Sequence, residues 1–162
     1  MVEMELVGVR VELPTNAPIV LLREKGGDRR LLPIFIGAPE ATAIAFALED
    51  VETPRPMTHD LMKDVLDDLG VTVDQIVVSE LKDATFYAEL HLTAGGRTHQ
   101  VSSRPSDAIA LAARIGSPIF AAEAVPDEAA YALTEEDEEQ EETVVEQFKE
   151  FIDNVNPEDF AS

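Results

Sequence analysis

Cysteine is absent from the 162 residues. That excludes disulfides, thiolate metal sites and a cysteine nucleophile, and it is compatible with a reducing cytosol. Long hydrophobic runs are missing too. No stretch approaches the roughly 18 apolar residues that a membrane-crossing helix needs. Met1-Val2-Glu3-Met4-Glu5 is acidic and passes straight into a strand-like pattern, unlike a signal peptide. The expectation is a soluble, cytoplasmic protein with no membrane partner. Basic charge is scarce: 12 Lys and Arg face 33 Asp and Glu, a formal net charge of −21. The excess is concentrated in residues 127–162, which carry 14 acids and one base, Lys149. Long-range electrostatics therefore repel nucleic acid and anionic membrane. Nucleic-acid chemistry would need a local basic patch or bound divalent cations. No P-loop, dinucleotide fingerprint, zinc spacing or basic helix-turn-helix occurs.

What is present is a pattern written twice. Thr42-Ala43-Ile44-Ala45-Phe46-Ala47 recurs as Asp107-Ala108-Ile109-Ala110-Leu111-Ala112. Each copy opens a small-residue, apolar helix just after a proline, Pro39 or Pro105. Each follows two apolar runs joined through Gly26-Gly27 or Gly95-Gly96, which read as hairpin turns. Alternation marks a strand from Val7 to Leu13. Further strands are expected at Ile19–Leu22, Leu31–Ile36, Gln75–Leu81, Thr85–Leu92, Thr98–Ser102 and Pro118–Ala121. Between the repeats, Thr58 reads as the N-cap of an amphipathic helix with the stripe Leu61, Met62, Val65, Leu66 and Leu69, ended by Gly70. The fold class is α+β: duplicated strand-hairpin-helix units forming a mixed, mainly antiparallel sheet with helices packed on it. Residues 1–126 form the domain and 127–142 an acidic linker, with seven acids between Glu135 and Glu142. Residues 143–162 hold a C-terminal amphipathic helix, striped by Val144, Val145, Phe148, Phe151, Ile152 and Val155.

Three clusters carry chemistry-bearing side chains. In Arg55-Pro56-Met57-Thr58-His59-Asp60, a histidine beside a carboxylate at a helix start suits general acid–base work, and Arg55 suits a phosphate. Thr58 and Asp60 equally suit helix capping. In Arg104-Pro105-Ser106-Asp107, the helix start can bind an anion or satisfy its own donors. No His or Lys adjoins Ser106, which weakens a serine nucleophile. Glu40, Asp60, Asp107 and Glu123 all fall near element ends. Should they converge, they would suit Mg²⁺ or Mn²⁺ with waters completing the shell. His91 and His99 have no second ligand at metal spacing.

The order Leu32-Pro33-Ile34-Phe35-Ile36-Gly37, Glu40-Ala41, Arg55-Pro56-Met57-Thr58-His59-Asp60-Leu61, Phe86-Tyr87-Ala88 and Arg104-Pro105-Ser106-Asp107-Ala108, followed by Pro118-Ile119 and Glu123, resembles the bifunctional nuclease domain family of bacteria and plants. The likeness covers about residues 3–126. It implies an α+β domain, a homo-oligomer, most simply a dimer, and cleavage of both RNA and DNA. The positions matching its polar motif are Glu40, Arg55, His59, Asp60, Arg104, Ser106, Asp107 and Glu123. His59, Asp60, Asp107 and Ser106 are thereby candidate catalytic residues. Arg55 and Arg104 would grip the phosphate of RNA or single-stranded DNA. Glu40, Asp60, Asp107 and Glu123 would hold a divalent cation. The competing expectation is a non-enzymatic oligomeric module that uses its acidic tail for protein contacts.

Overall fold

The computed structural model describes residues 1–12 and 14–132. The acidic run at 135–142 and the apolar stripe at 144–155 lie outside the described residues. The order is β1 (Val2–Glu12), β2 (Ala17–Glu24), β3 (Leu31–Phe35), α1 (Ala38–Leu48), α2 (Thr58–Asp68), β4 (Thr72–Lys82), β5 (Thr85–Ala94), β6 (Arg97–Ser103), α3 (Pro105–Ile115), β7 (Ile119–Ala121) and α4 (Ala124–Ala129). The strands form one seven-stranded sheet in the order β3-β2-β1-β7-β4-β5-β6. The two copies of the sequence repeat, β1-β2-β3-α1 and β4-β5-β6-α3, thus occupy opposite halves of the sheet. β7 lies between them, antiparallel to β1 and parallel to β4, which makes the sheet mixed. Among the described residues no helix is long and apolar enough to cross a membrane.

The two small-residue helices meet each other. Ala41, Ala43, Ile44 and Ala45 of α1 and Ala108 to Ala112 of α3 belong to one core with Val20, Leu22, Ile76 and Val78 of the sheet. Alanine lets the two backbones approach closely, and the all-apolar composition matches burial on most sides. This contact fixes the relative position of the α1 and α3 openings, on which the site depends. α2 packs on α3.

Three local differences from the sequence pattern have clear causes. β1 begins five residues before the alternation that starts at Val7. The register passes from Leu6↔Leu22 to Gly8↔Leu21, so Val7 is an extra residue in a β-bulge. The bulge switches faces, which lets Met4 and Val9 both reach the core despite an odd spacing. Thr58 is the first residue of α2 rather than its cap. Met57 takes the cap position, and its N–H donates to Asp60 Oδ2 at 3.0 Å. The stripe of α2 divides: Met62 and Leu66 pack on the core while Leu61, Val65 and Leu69 face solvent. Gly70 does end that helix, at φ +69°. Beyond the expected elements, α4 runs across position 126. Tyr131 exchanges two backbone hydrogen bonds of 2.9 Å with Leu31, protecting the β3 edge.

Candidate functional site

Three helices open on the same cleft, and each carries an acid at its third position. α1 starts Ala38-Pro39-Glu40, α2 starts Thr58-His59-Asp60 and α3 starts Pro105-Ser106-Asp107. Proline near the first position presets φ for helix entry, and an early carboxylate offsets the positive helix end. These local reasons would suffice for three unrelated helix starts. The packing of α1 and α2 on α3 brings them together.

The side chains then form a chain of contacts across the cleft. Glu40 Oε1 accepts a hydrogen bond from Arg104 Nη2 at 2.7 Å. Arg104 Nε donates to Asp107 Oδ2 at 2.9 Å. Asp107 Oδ1 lies 2.9 Å from His59 Nε2. A carboxylate only accepts, so Nε2 carries the proton and Nδ1 is left as the imidazole's basic nitrogen. His59 is 6% exposed. Its Nδ1 has no partner among the described residues and is not sealed from solvent. The side chain of Arg104 is 66% exposed, and Nη1 is uncommitted among the described residues. Hydrogen bonds to Glu40, then to Asp107, hold Arg104 above the ordinary arginine value and keep it charged.

Beside this chain stands a second pair. Arg114 Nε donates to Asp60 Oδ1 at 2.6 Å, and Arg114 Nη1 donates to the Ala110 carbonyl. Burial alone would raise the Asp60 carboxyl. The Arg114 hydrogen bond and the Met57 N–H outweigh it and bring the group below the usual carboxylate range. A cavity of about 410 Å³ is bounded by Glu40, Phe46, His59, Arg104, Asp107 and Arg114, with Pro39, Met57 and Thr58 at its sides.

Glu40, His59, Asp60, Arg104 and Asp107 are therefore gathered. Arg55 stands in the exposed loop before α2, and its side chain has no partner among the described residues. Ser106 turns to a different cavity, beyond Arg104. Glu123 is 77% exposed at the start of α4, 3.8 Å from the Met1 amino group, and lines neither cavity. The expected four-carboxylate cation site does not form among the described residues. Its physical reason is charge already in place: Glu40 and Asp107 share one guanidinium and Asp60 holds another. A cation would have to displace an arginine, so this donor set does not fit one. Arg114 escaped the sequence reading because it closes α3 rather than opening it. Its signal was the seven-residue step from Asp107, which puts both on one helix face.

The fold and cleft define a class: a duplicated sheet-and-helix domain whose helix openings present a His–carboxylate pair beside two arginines. The chain belongs to the bifunctional nuclease domain family, whose model matches residues 20–134. It is 46% identical over 165 residues to the uncharacterized protein Rv1829 of Mycobacterium tuberculosis, covering 99% of this chain and 98% of that protein. It is 33% identical over 112 residues to bifunctional nuclease 2 of Arabidopsis thaliana, and 31% identical over 112 residues to bifunctional nuclease 2 of Oryza sativa subsp. japonica. Each plant match covers 66% of this chain and 34% of the plant protein.

Proposed function

We propose that the chain is a nuclease that hydrolyses phosphodiester bonds of RNA and DNA at the cleft between α1, α2 and α3. The observation that carries this reading is the contact chain Glu40–Arg104–Asp107–His59 on the wall of one cavity. Family membership supports the substrate class. DNA has no 2′-hydroxyl, so a site acting on both polymers must use an external nucleophile, and water is the simplest. In this mechanism His59 Nδ1 accepts a proton from water as its oxygen bonds to phosphorus. The bond from phosphorus to the leaving oxygen breaks, and His59 returns the proton to that oxygen. Asp107 fixes the imidazole in the tautomer this requires. Arg104, through the Nη1 that has no partner among the described residues, and Arg114 stabilise charge that develops on the phosphoryl oxygens. Glu40 and Asp60 position those two arginines. No step is routed through a cation, because the carboxylates are already paired.

The direct test is cleavage of labelled RNA and DNA oligonucleotides by highly purified wild type, His59→Ala and Arg104→Ala prepared in parallel. Loss of cleavage in both variants is expected. Equal cleavage by all three would assign the activity to a contaminant and end the reading. A second reading, a protein-contact module, is favoured by one observation: Leu61, Val65 and Leu69 stand 55%, 47% and 70% exposed along one side of α2. A homodimer is part of that reading. A monomeric mass by light scattering, unchanged in Leu61→Ser/Leu69→Ser, would remove it.

A further inference from the structure

Arg104 walls two cavities rather than one. On its far side lies a space of about 430 Å³, bounded by Phe35, Gly37, Thr85, Phe86 and Ser106 with Arg104 itself. That volume falls within the range of roughly 300–1,000 Å³ typical of small-molecule sites. Its chemistry differs from that of the His59 side. Among the described residues no acid lines it, in a chain with 33 Asp and Glu. Two aromatic rings do, and Phe35 is 70% exposed at the end of β3. Ser106 also lines it. This residue is only 5% exposed, yet its hydroxyl has no hydrogen-bond partner among the described residues. The hydroxyl oxygen is not sealed from solvent, so it is open to a partner that enters the cavity.

We propose that this second cavity seats a nucleobase of a single-stranded polynucleotide whose phosphate is held by Arg104. The inference rests on the nuclease reading and names the substrate form that the same site takes. Phe35 and Phe86 offer π faces for stacking, and the Ser106 hydroxyl offers one donor and its lone pairs to a base edge. Arg104, exposed between the cavities, holds the reacting phosphodiester itself, with the nucleoside on one side reaching this cavity and the scissile bond facing His59 on the other. A base held in a duplex is stacked and paired, so it cannot enter. One hydroxyl and two rings select weakly among bases, so the site is tolerant of sequence. Ser106 thereby acts in substrate binding, with no nucleophilic part.

The test compares two probes that differ only in the base, 5′-AMP and ribose 5-phosphate, by NMR titration of the full chain. Wild type should bind AMP about 5- to 150-fold more tightly, the value of one stacked base. Phe35→Ala should abolish that ratio while leaving ribose 5-phosphate affinity unchanged. This change removes an exposed ring, so folding is preserved, and the spectrum of the variant reports it. Ser106→Ala should lower AMP affinity alone. Equal affinities in wild type, no AMP binding at millimolar concentration, or equal weakening of both probes by Phe35→Ala would overturn the base pocket. The two ideas fail separately. Oligonucleotide cleavage without a base-dependent ratio refutes the pocket and leaves the nuclease. A base-dependent ratio without cleavage refutes the nuclease and leaves the pocket.

Discussion

Asp107→Asn is the sharpest perturbation of the proposed chemistry, because it changes almost no volume. The side chain bridges two groups, His59 at 2.9 Å through Oδ1 and Arg104 at 2.9 Å through Oδ2. Arginine can only donate, so the single carbonyl oxygen of asparagine must face Arg104. The amide NH₂ is then forced toward His59 Nε2. That nitrogen becomes an acceptor, and the imidazole proton moves to Nδ1. The nitrogen that should accept a proton from water is now blocked. The corresponding Asp→Asn change in a serine-protease triad lowers kcat by about 10⁴ through the same tautomer reversal. General acid–base catalysis as a whole contributes roughly 10²- to 10⁴-fold, so kcat should fall within that range. KM should change much less, since Arg104 keeps Glu40 and its charge. Thermal unfolding should show a loss of at most about 1 kcal/mol, because Arg104 is solvent-screened. The assay is steady-state cleavage of a fluorophore–quencher oligonucleotide, and His59→Gln/Asp107→Asn should be no slower than the worse single variant. An undiminished kcat in a folded Asp107→Asn protein would refute the tautomer argument. A rise confined to KM would refute it as well.

EDTA should leave the cleavage rate unchanged; strict loss restored by Mg²⁺ would mean that the carboxylates release their arginines to a cation. Glu24 is buried, and its carboxyl is held below the usual range first by the Arg30 hydrogen bond. A carboxyl with a depressed folded pKa contributes stability that is complete above about pH 5, past the unfolded glutamate value, and lost as pH falls through the folded value. Glu24→Gln should therefore cost roughly 1.5–3 kcal/mol at neutral pH and progressively less below about pH 5 in denaturant titrations. Ala84 sits at φ +61° in the β4–β5 turn, a conformation that costs a side-chain-bearing residue about 1–2 kcal/mol. Ala84→Gly should raise the unfolding midpoint, and a lower midpoint would contradict the turn geometry. Cleavage at subsaturating substrate should speed up from low salt to about 0.15 M as repulsion is screened, the reverse of a basic nuclease.

Much of the fold was legible because it depends on local rules. Gly95 and Gly96 at φ 57° and 77° satisfy the turn that their dipeptide announces. The alanine-rich repeats are buried as their composition requires. The start of β1 was illegible because a bulge at Val7 reverses the alternation halfway. The stripe of α2 was only half legible, since Leu61, Val65 and Leu69 share its helical period but face outward. The site shows the same division. Residue types and helix starts pointed to His59, Asp107 and Arg104. Partnership is three-dimensional: the sequence did not reveal that Arg104 would join acids on two helices, or that Arg114 would take Asp60. Glu123 matched the family motif as well as the others did, yet it stands at α4.

Duplication explains why the site is where it is, and a departure from symmetry explains why it has chemistry. Aligned by helix position, Glu40 of α1 corresponds to Asp107 of α3, two residues out of register with the apolar repeat that pairs Thr42 with Asp107. The residues preceding the two helices are Gly37 and Arg104, both extended caps. Here one copy supplies no side chain, and a Cβ on Gly37 would strike the Glu40 carboxylate. The other copy supplies a guanidinium long enough to reach both acids. The Glu40 carboxylate lies back over Gly37, and the length of Arg104 lets it reach both acids. Together they convert repulsion between two helix-start acids into a bridged anchor, with one donor nitrogen uncommitted among the described residues.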